Sequence, residues 1–278
     1  MADLAALSTP AGFEQLVAHM MLADNESRKQ AEAVFEKVKE HPDACAGSLL
    51  TVMRSSANIE HRSFAAITLR RVLTRDDPTL WSKCSDNVKA GIKHELLLAL
   101  NEEQDKTVLR KAWDTVAELG AELADEQLPG GTQWPELVPT MFSFVQSGVP
   151  VKMETGLSVL ASLAHCMVTA LQPQLGPLTA ALGSCLSHAD REVQLAALKA
   201  TSNFIQALDE PAEREKLSPL IQPMLACLAS SLNAGDEASA QEALEMFIEG
   251  TRHDAQAAHL RRQPAATQPA AELPAWGA

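Results

Sequence analysis

A motif recurs along this 278-residue chain at a spacing that few folds can use. A turn residue is followed four positions on by a basic or polar residue, and three further on by a small one. Asp24, Arg28 and Ala31 set the pattern, and Asn58, Arg62 and Ala65 repeat it. Lys106, Arg110 and Trp113 are a looser copy, as are Gly148, Lys152 and Thr155; Asp190, Gln194 and Ala197, then Asp236, Ala240 and Ala243, continue it. The middle members lie 34, 48, 42, 42 and 46 residues apart. A period of roughly 40 to 47 residues belongs to HEAT and armadillo arrays, in which one helix pair cannot bury its apolar face alone and stacks on its neighbours.

Composition agrees with helices. Tyr is absent and aromatic residues make up 4% of the chain, against 46% hydrophobic residues overall; an all-β fold, built on aromatic and β-branched residues, is excluded. First helices are expected at Phe13 to Leu22, Asp43 to Arg54, Asp86 to Leu100, Trp134 to Gln146, Leu175 to Leu186 and Leu217 to Leu232. Second helices are expected at Ser27 to Lys39, Glu60 to Thr74, Lys106 to Leu123, Lys152 to Leu171, Arg191 to Leu208 and Glu237 to Glu249. Pro42, Pro78, Pro135, Pro150, Pro173, Pro211 and Pro219 fall at helix starts or turns, where a missing N–H costs nothing. The fold predicted is all-α, an open right-handed HEAT-repeat solenoid of about six antiparallel pairs. The turn residues and their followers, Asp24, Arg28, Asn58, Arg62, Asp190 and Asp236, are assigned to structure, as a ladder between repeats. Residues 1–11 form an N-terminal segment and residues 12–249 the array. Residues 250–278, with nine Ala, three Pro and three Gln, show no apolar stripe and read as a disordered tail that leaves the sixth pair uncapped. The chain thus looks like a fragment of a longer solenoid.

The net charge of −13 is concentrated. Residues 1–111 hold 15 basic and 16 acidic side chains, while residues 112–249 hold 5 and 18. Such a surface repels phosphate backbones and suits basic proteins or peptides, so no direct nucleic acid partner is expected; a merely solubilising charge is the plainer alternative. Five cysteines, never closer than 19 residues, form neither a disulfide framework nor a metal knuckle and fit a reducing compartment. The first twelve residues lack the basic and apolar regions of a secretory signal. The uncharged stretch from Thr155 to Ala189 is broken by prolines and polar residues, and reads as two buried helices joined at Gln172 to Pro177 rather than as a membrane insertion.

Catalytic constellations do not assemble. His94-Glu95 opens like a zinc-protease motif, but position 98 is Leu98 and not the second His. Gly156-x-Ser158 lacks the second glycine and the strand of a nucleophile elbow. Gly130-Gly131 lacks the Lys-Ser/Thr of a phosphate loop. No enzyme and no cofactor is expected.

Four words in order carry a resemblance: Arg28-Lys29-Gln30-Ala31-Glu32, Ala65 to Leu73, Ile92-Lys93-His94-Glu95-Leu96-Leu97, and Gln133-Trp134-Pro135-Glu136. On these the chain resembles the importin-β (karyopherin-β) family, most closely its importin-5 class, over about residues 12–249 and most strongly to residue 137. The resemblance implies a nuclear transport receptor whose N-terminal repeats bind the GTPase Ran in its GTP form and which shuttles between cytoplasm and nucleus. It implies that second helices line the concave face and meet Ran. Outer first helices of later repeats would present grooves for phenylalanine-glycine nucleoporin segments, and basic cargo would be held largely by later repeats. Arg70 and Arg71, with Arg110 and Lys111 on the next second helix, are the candidate Ran contacts. The rival reading is a generic HEAT scaffold or regulatory subunit that never meets Ran.

Overall fold

The structure, a computed structural model, describes residues 9–128, 131–208 and 210–233, with isolated positions at 241, 244, 245 and 248. In chain order its helices are α1 (Pro10–Met20), α2 (Asn25–Val38), α3 (Pro42–Ser55), α4 (Ile59–Thr74), the short α5 (Leu80–Lys83), α6 (Asp86–Glu102) and α7 (Lys106–Glu122). They continue with α8 (Leu137–Val145), α9 (Pro150–Leu163), the short α10 (Val168–Leu171), α11 (Leu175–Leu186), α12 (Arg191–Ala207), the short α13 (Pro211–Glu215) and α14 (Ile221–Asn233). Among the described residues there is no β-strand, only an isolated antiparallel bridge between Ala124 and Thr132.

The helices form an all-α solenoid of stacked pairs: α1 with α2, α3 with α4, α6 with α7, α8 with α9, and α11 with α12, while α14 opens a sixth. First helices stack on first helices, α1 on α3, α3 on α6, α8 on α11 and α11 on α14. Second helices stack as α4 on α7, α7 on α9 and α9 on α12, so a second layer runs through the array. The first pair differs, because α2 packs on α1 and α3 and it is α1 that reaches α4. One continuous core fills the space between layers, with Phe13, Leu49, Leu69, Ile92, Leu119, Leu137, Leu157 and Leu182 among its buried members. Each such side chain contributes roughly 1.5 to 3 kcal/mol on leaving water, spread along the array because each repeat touches only its neighbours.

The turn residues of the repeat are helix caps. Asp24 accepts the backbone N–H of Ser27 at 2.9 Å and Asn58 that of Glu60 at 2.8 Å; Asp190 accepts those of Glu192 and Val193 at 3.0 and 3.3 Å. Each satisfies an orphan donor of the first turn. In the third and fourth repeats the structure corrects the register read from sequence. The cap there is Asp105, which accepts from Thr107 and Val108, and the residue preceding α9 is Val149. The small residue seven positions after each cap is then Ala31, Ala65, Ala112, Gly156 and Ala197, all buried. Trp113 and Thr155 are their neighbours, not members of the set. Gly148 instead makes the turn out of α8 at φ 70°, a left-handed conformation that favours glycine.

Three helix boundaries also shift. The fourth second helix stops at Leu163 and the chain restarts at α10, so the break in the uncharged stretch comes before Gln172. The fourth and sixth first helices start at Leu137 and Ile221, several residues later than the apolar pattern suggests. Pro139, Pro177 and Pro223 occupy the third position of α8, α11 and α14. At that place the lost N–H has no intrahelical partner in any case, which fixes where these helices begin. Asp236, the tail at 250–278 and nearly all of the expected helix from Glu237 to Glu249 lie outside the described residues, as does the N-terminal segment before residue 9.

Candidate partner-binding face

Charged side chains gather on the layer of second helices, and stacking decides which of them meet. Arg70 on α4 reaches across to α7, its Nη1 lying 3.0 Å from Asp114 Oδ2 and 3.5 Å from Glu118 Oε1. Arg75, just past α4, also donates to Glu118, through Nε at 3.0 Å and through Nη2. From the other end of α4, Arg62 forks onto the Glu103 carboxylate at 3.2 and 3.3 Å and donates to the Ser56 carbonyl at 2.9 Å. Arg110 on α7 continues the series, with its Nη2 3.3 Å from Glu154 on α9 and 3.6 Å from Glu192 on α12. Its guanidinium also sits 5.9 Å from the Trp113 ring centre. Asn203 on α12 donates to the Ala161 carbonyl on α9 at 2.8 Å.

The candidate cations therefore divide. Arg70, with 19% of its side chain exposed, is committed to two carboxylates. Arg71, 55% exposed, has among the described residues only Asp76 as an ionic neighbour, at 4.0 Å. Arg110 is 52% exposed but held by two acids, and Lys111, partly exposed, makes no ion pair among the described residues. Of the residues assigned to structure, Asp24, Asn58 and Asp190 cap helices, Arg62 spans two repeats, and Arg28 stays within α2, bonded to Asn25 at 2.8 Å. Arg28 makes no step between repeats because α2 does not enter the second-helix stack.

The acids that complete the ladder, Glu103, Asp114, Glu118, Glu154 and Glu192, do not stand at the repeat landmarks. A signal for two of these contacts was nevertheless present: Arg70 with Asp114 and Arg110 with Glu154 are each 44 residues apart. That is one structural repeat, so a charge meeting an opposite charge one period later marks stacked positions.

Electrostatics sets a pH dependence here. Burial works against ionisation of Glu118, but the Arg75 hydrogen bond, the Arg70 charge and the Thr74 hydroxyl outweigh it, holding the carboxyl below its ordinary value. Glu14 on α1 is also lowered, by the Ser56 hydroxyl at 2.6 Å and by His61 at 3.0 Å. A carboxylate depressed on folding adds stability above its unfolded value, near 4.5 for Glu, and loses it as pH falls through the folded value. The denaturation midpoint of the chain should accordingly fall as pH drops below about 4.5, and E118Q should flatten that decline; equal slopes in the two proteins would show that Glu118 is not a stabilising acid.

On the other layer, α3 and α6 enclose a groove of about 510 Å3, floored by Leu50, Val88 and Ile92 and closed at one rim by Arg54 and Glu95. Gly47 and Gly91 face open space and keep it clear. Among the described residues no three His, Cys, Asp or Glu side chains are placed to hold a metal, and no helix is long and apolar enough to cross a membrane. None of the five cysteines is in a disulfide; burial raises every thiol, Cys45 to about 12 and Cys84 and Cys185 to about 11, so none is a ready thiolate.

Comparison with known proteins agrees with this architecture. Residues 31–102 match the importin-beta N-terminal domain and residues 104–254 match the family described as "IPO5-like, TPR repeats". A probable importin-5 homolog of Dictyostelium discoideum is 25% identical over 224 residues, which is 79% of this chain and 20% of that protein. The crystal structure of Kap121p superposes with a TM-score of 0.72 at 22% identity, covering 87% of this chain and 22% of that one. Kap121p bound to RanGTP superposes with a TM-score of 0.70 at 22% identity over 89% of this chain and 22% of that one. The chain spans about a fifth of the length of these relatives. With matched segments running from residue 31 to residue 254 across the stacked pairs, the chain belongs to the importin-β family and corresponds to the N-terminal portion of its importin-5-like members.

Proposed function

We propose that this chain is the N-terminal part of a nuclear transport receptor and that its second-helix face binds Ran in the GTP form, for protein import into the nucleus. The observation carrying this reading is the shared fold with Kap121p in its RanGTP complex over 89% of the chain. Arg71 and Lys111 can meet Ran at once, whereas Arg70 and Arg110 can do so only by giving up internal acids. The groove between α3 and α6, apolar at its floor, suits an aromatic nucleoporin side chain; Kap121p has been solved bound to Nup53p. The acidic surface of residues 112–249 suits basic cargo by charge complementarity. Nothing in this reading calls for an enzyme, and it places the protein in cytoplasm and nucleus by shuttling.

Titrating the chain with Ran loaded with GTP or with GDP tests the reading directly. Tighter binding of the GTP form is expected, and R71E/K111E should weaken it by about tenfold or more, the scale of losing two interfacial charges, without loss of helical signal. Equal affinity for the two nucleotide states, or none, would favour the generic scaffold, a reading that the internal pairing of most cations on this face also supports.

A further inference from the structure

Glu154 is the one buried acidic side chain among the described residues, with 9% of its side chain exposed. It lies on α9, between α7 and α12 in the second-helix stack. Among the described residues its side-chain partner is the Arg110 guanidinium at 3.3 Å, which comes from α7 and is itself half exposed. The same nitrogen of Arg110 also faces Glu192 on α12 at 3.6 Å. One exposed cation therefore joins three successive second helices, and a buried carboxylate depends on it.

We propose that Glu154 is a positioning residue that regulates the partner-binding face: it holds Arg110 in reserve, so that an acidic side chain of a partner can take Arg110 only by unpairing Glu154. This inference rests on the Ran reading for the identity of the partner, though not for the internal contact. A buried charge stripped of its partner is far less stable than an exposed one, because water cannot replace the lost cation. Glu192, 54% exposed, is a weak competitor by the same reasoning, since solvent takes over when its cation leaves. Binding at α4 and α7 is thereby coupled to the packing of α9 and α12, and the coupling works in both directions.

The experiment compares the parent chain with E154Q, E192Q, R110A and R110A/E154Q, reading Ran-GTP affinity and amide exchange along α9 and α12. E154Q keeps the volume of Glu154 while removing its charge, and should tighten Ran-GTP binding by about tenfold, within the usual range of coupling between sites. E192Q removes the same charge from the same neighbourhood and should change affinity far less. The gain from E154Q should vanish in the R110A background. Ran-GTP should speed exchange in α9 and α12 of the parent chain and leave it unchanged in E154Q. Equal gains from E154Q and E192Q would mean that only long-range repulsion had been relieved, and would overturn the proposal; so would a gain from E154Q that survives R110A. If the parent chain binds no Ran-GTP, the Ran reading fails, and the latch is then judged in the free protein: R110A should speed exchange in α9, and unchanged exchange would overturn it.

Discussion

Trp134→Ala is expected to remove about 3 to 5 kcal/mol of stability, the range for emptying a large aromatic site in a packed core. Trp134 precedes α8, is fully buried, and is the largest of the completely enclosed side chains. Its backbone N–H is fixed by the Thr132 hydroxyl at 2.9 Å, which orients the loop for the indole to enter the core. The indole Nε1, however, is buried with no hydrogen-bond partner among the described residues. A buried donor left unmade costs about 1 to 3 kcal/mol, so Trp134→Phe, which deletes that donor along with part of the ring, should lose far less, below about 1.5 kcal/mol. Urea unfolding followed by circular dichroism would measure both. A W134F loss as large as that of W134A would mean that the indole N–H is satisfied.

Gly156→Ala is expected to destabilise the chain even though alanine is the better helix former. In an exposed helix the exchange would gain about 0.8 to 1.0 kcal/mol. At position 156 an added Cβ would lie 2.8 Å from the Met141 carbonyl oxygen, 3.0 Å from Val145 Cγ2 and 3.1 Å from Phe144 Cβ. The nearest atom is backbone, so α8 and α9 must separate, and overpacking of this kind costs about 1 to 3 kcal/mol. The packing cost outweighs the propensity gain. Gly120, where an added Cβ would meet the Leu137 Cδ2 at 2.7 Å, gives a useful contrast: a leucine methyl can turn away, and G120A should be tolerated better than G156A. A stabilised G156A would show that the α8–α9 contact is looser than the structure places it.

These sites show how unevenly the structure could be read from the amino acids. The order of the first five helix pairs follows from the turn residues and the apolar stripes, and α11 runs from Leu175 to Leu186 as the pattern predicts. The landmark at Trp113 and Thr155 was misplaced by one residue, because the cap, not the basic residue four positions on, keeps the period. Asp105 and Val149 hold that place while the basic residue drifts to Arg110 and Lys152. A cap is fixed by the geometry of the first turn; a surface cation is free to sit wherever its partner acid lies. The late helix starts at Leu137 and Ile221 escape the sequence reading because Pro135 and Pro219 read as the helix-start prolines, whereas the prolines of the first turns are Pro139 and Pro223.

The sequence by itself therefore determined what depends on local chemistry: helix against strand, the repeat period, and the turn residue and small residue of the first, second and fifth repeats. Tertiary structure decided which of the neighbouring charges meet a partner. Arg71 and Arg70 are adjacent in sequence and near-equivalent in propensity, yet one faces solvent while the other is clasped by Asp114 and Glu118 from the next repeat. The 100° turn between successive residues on a helix aims the two guanidiniums in different directions. The stacking of α4 on α7 supplies acids to only one of them, and no property of the two residues taken singly could have separated them.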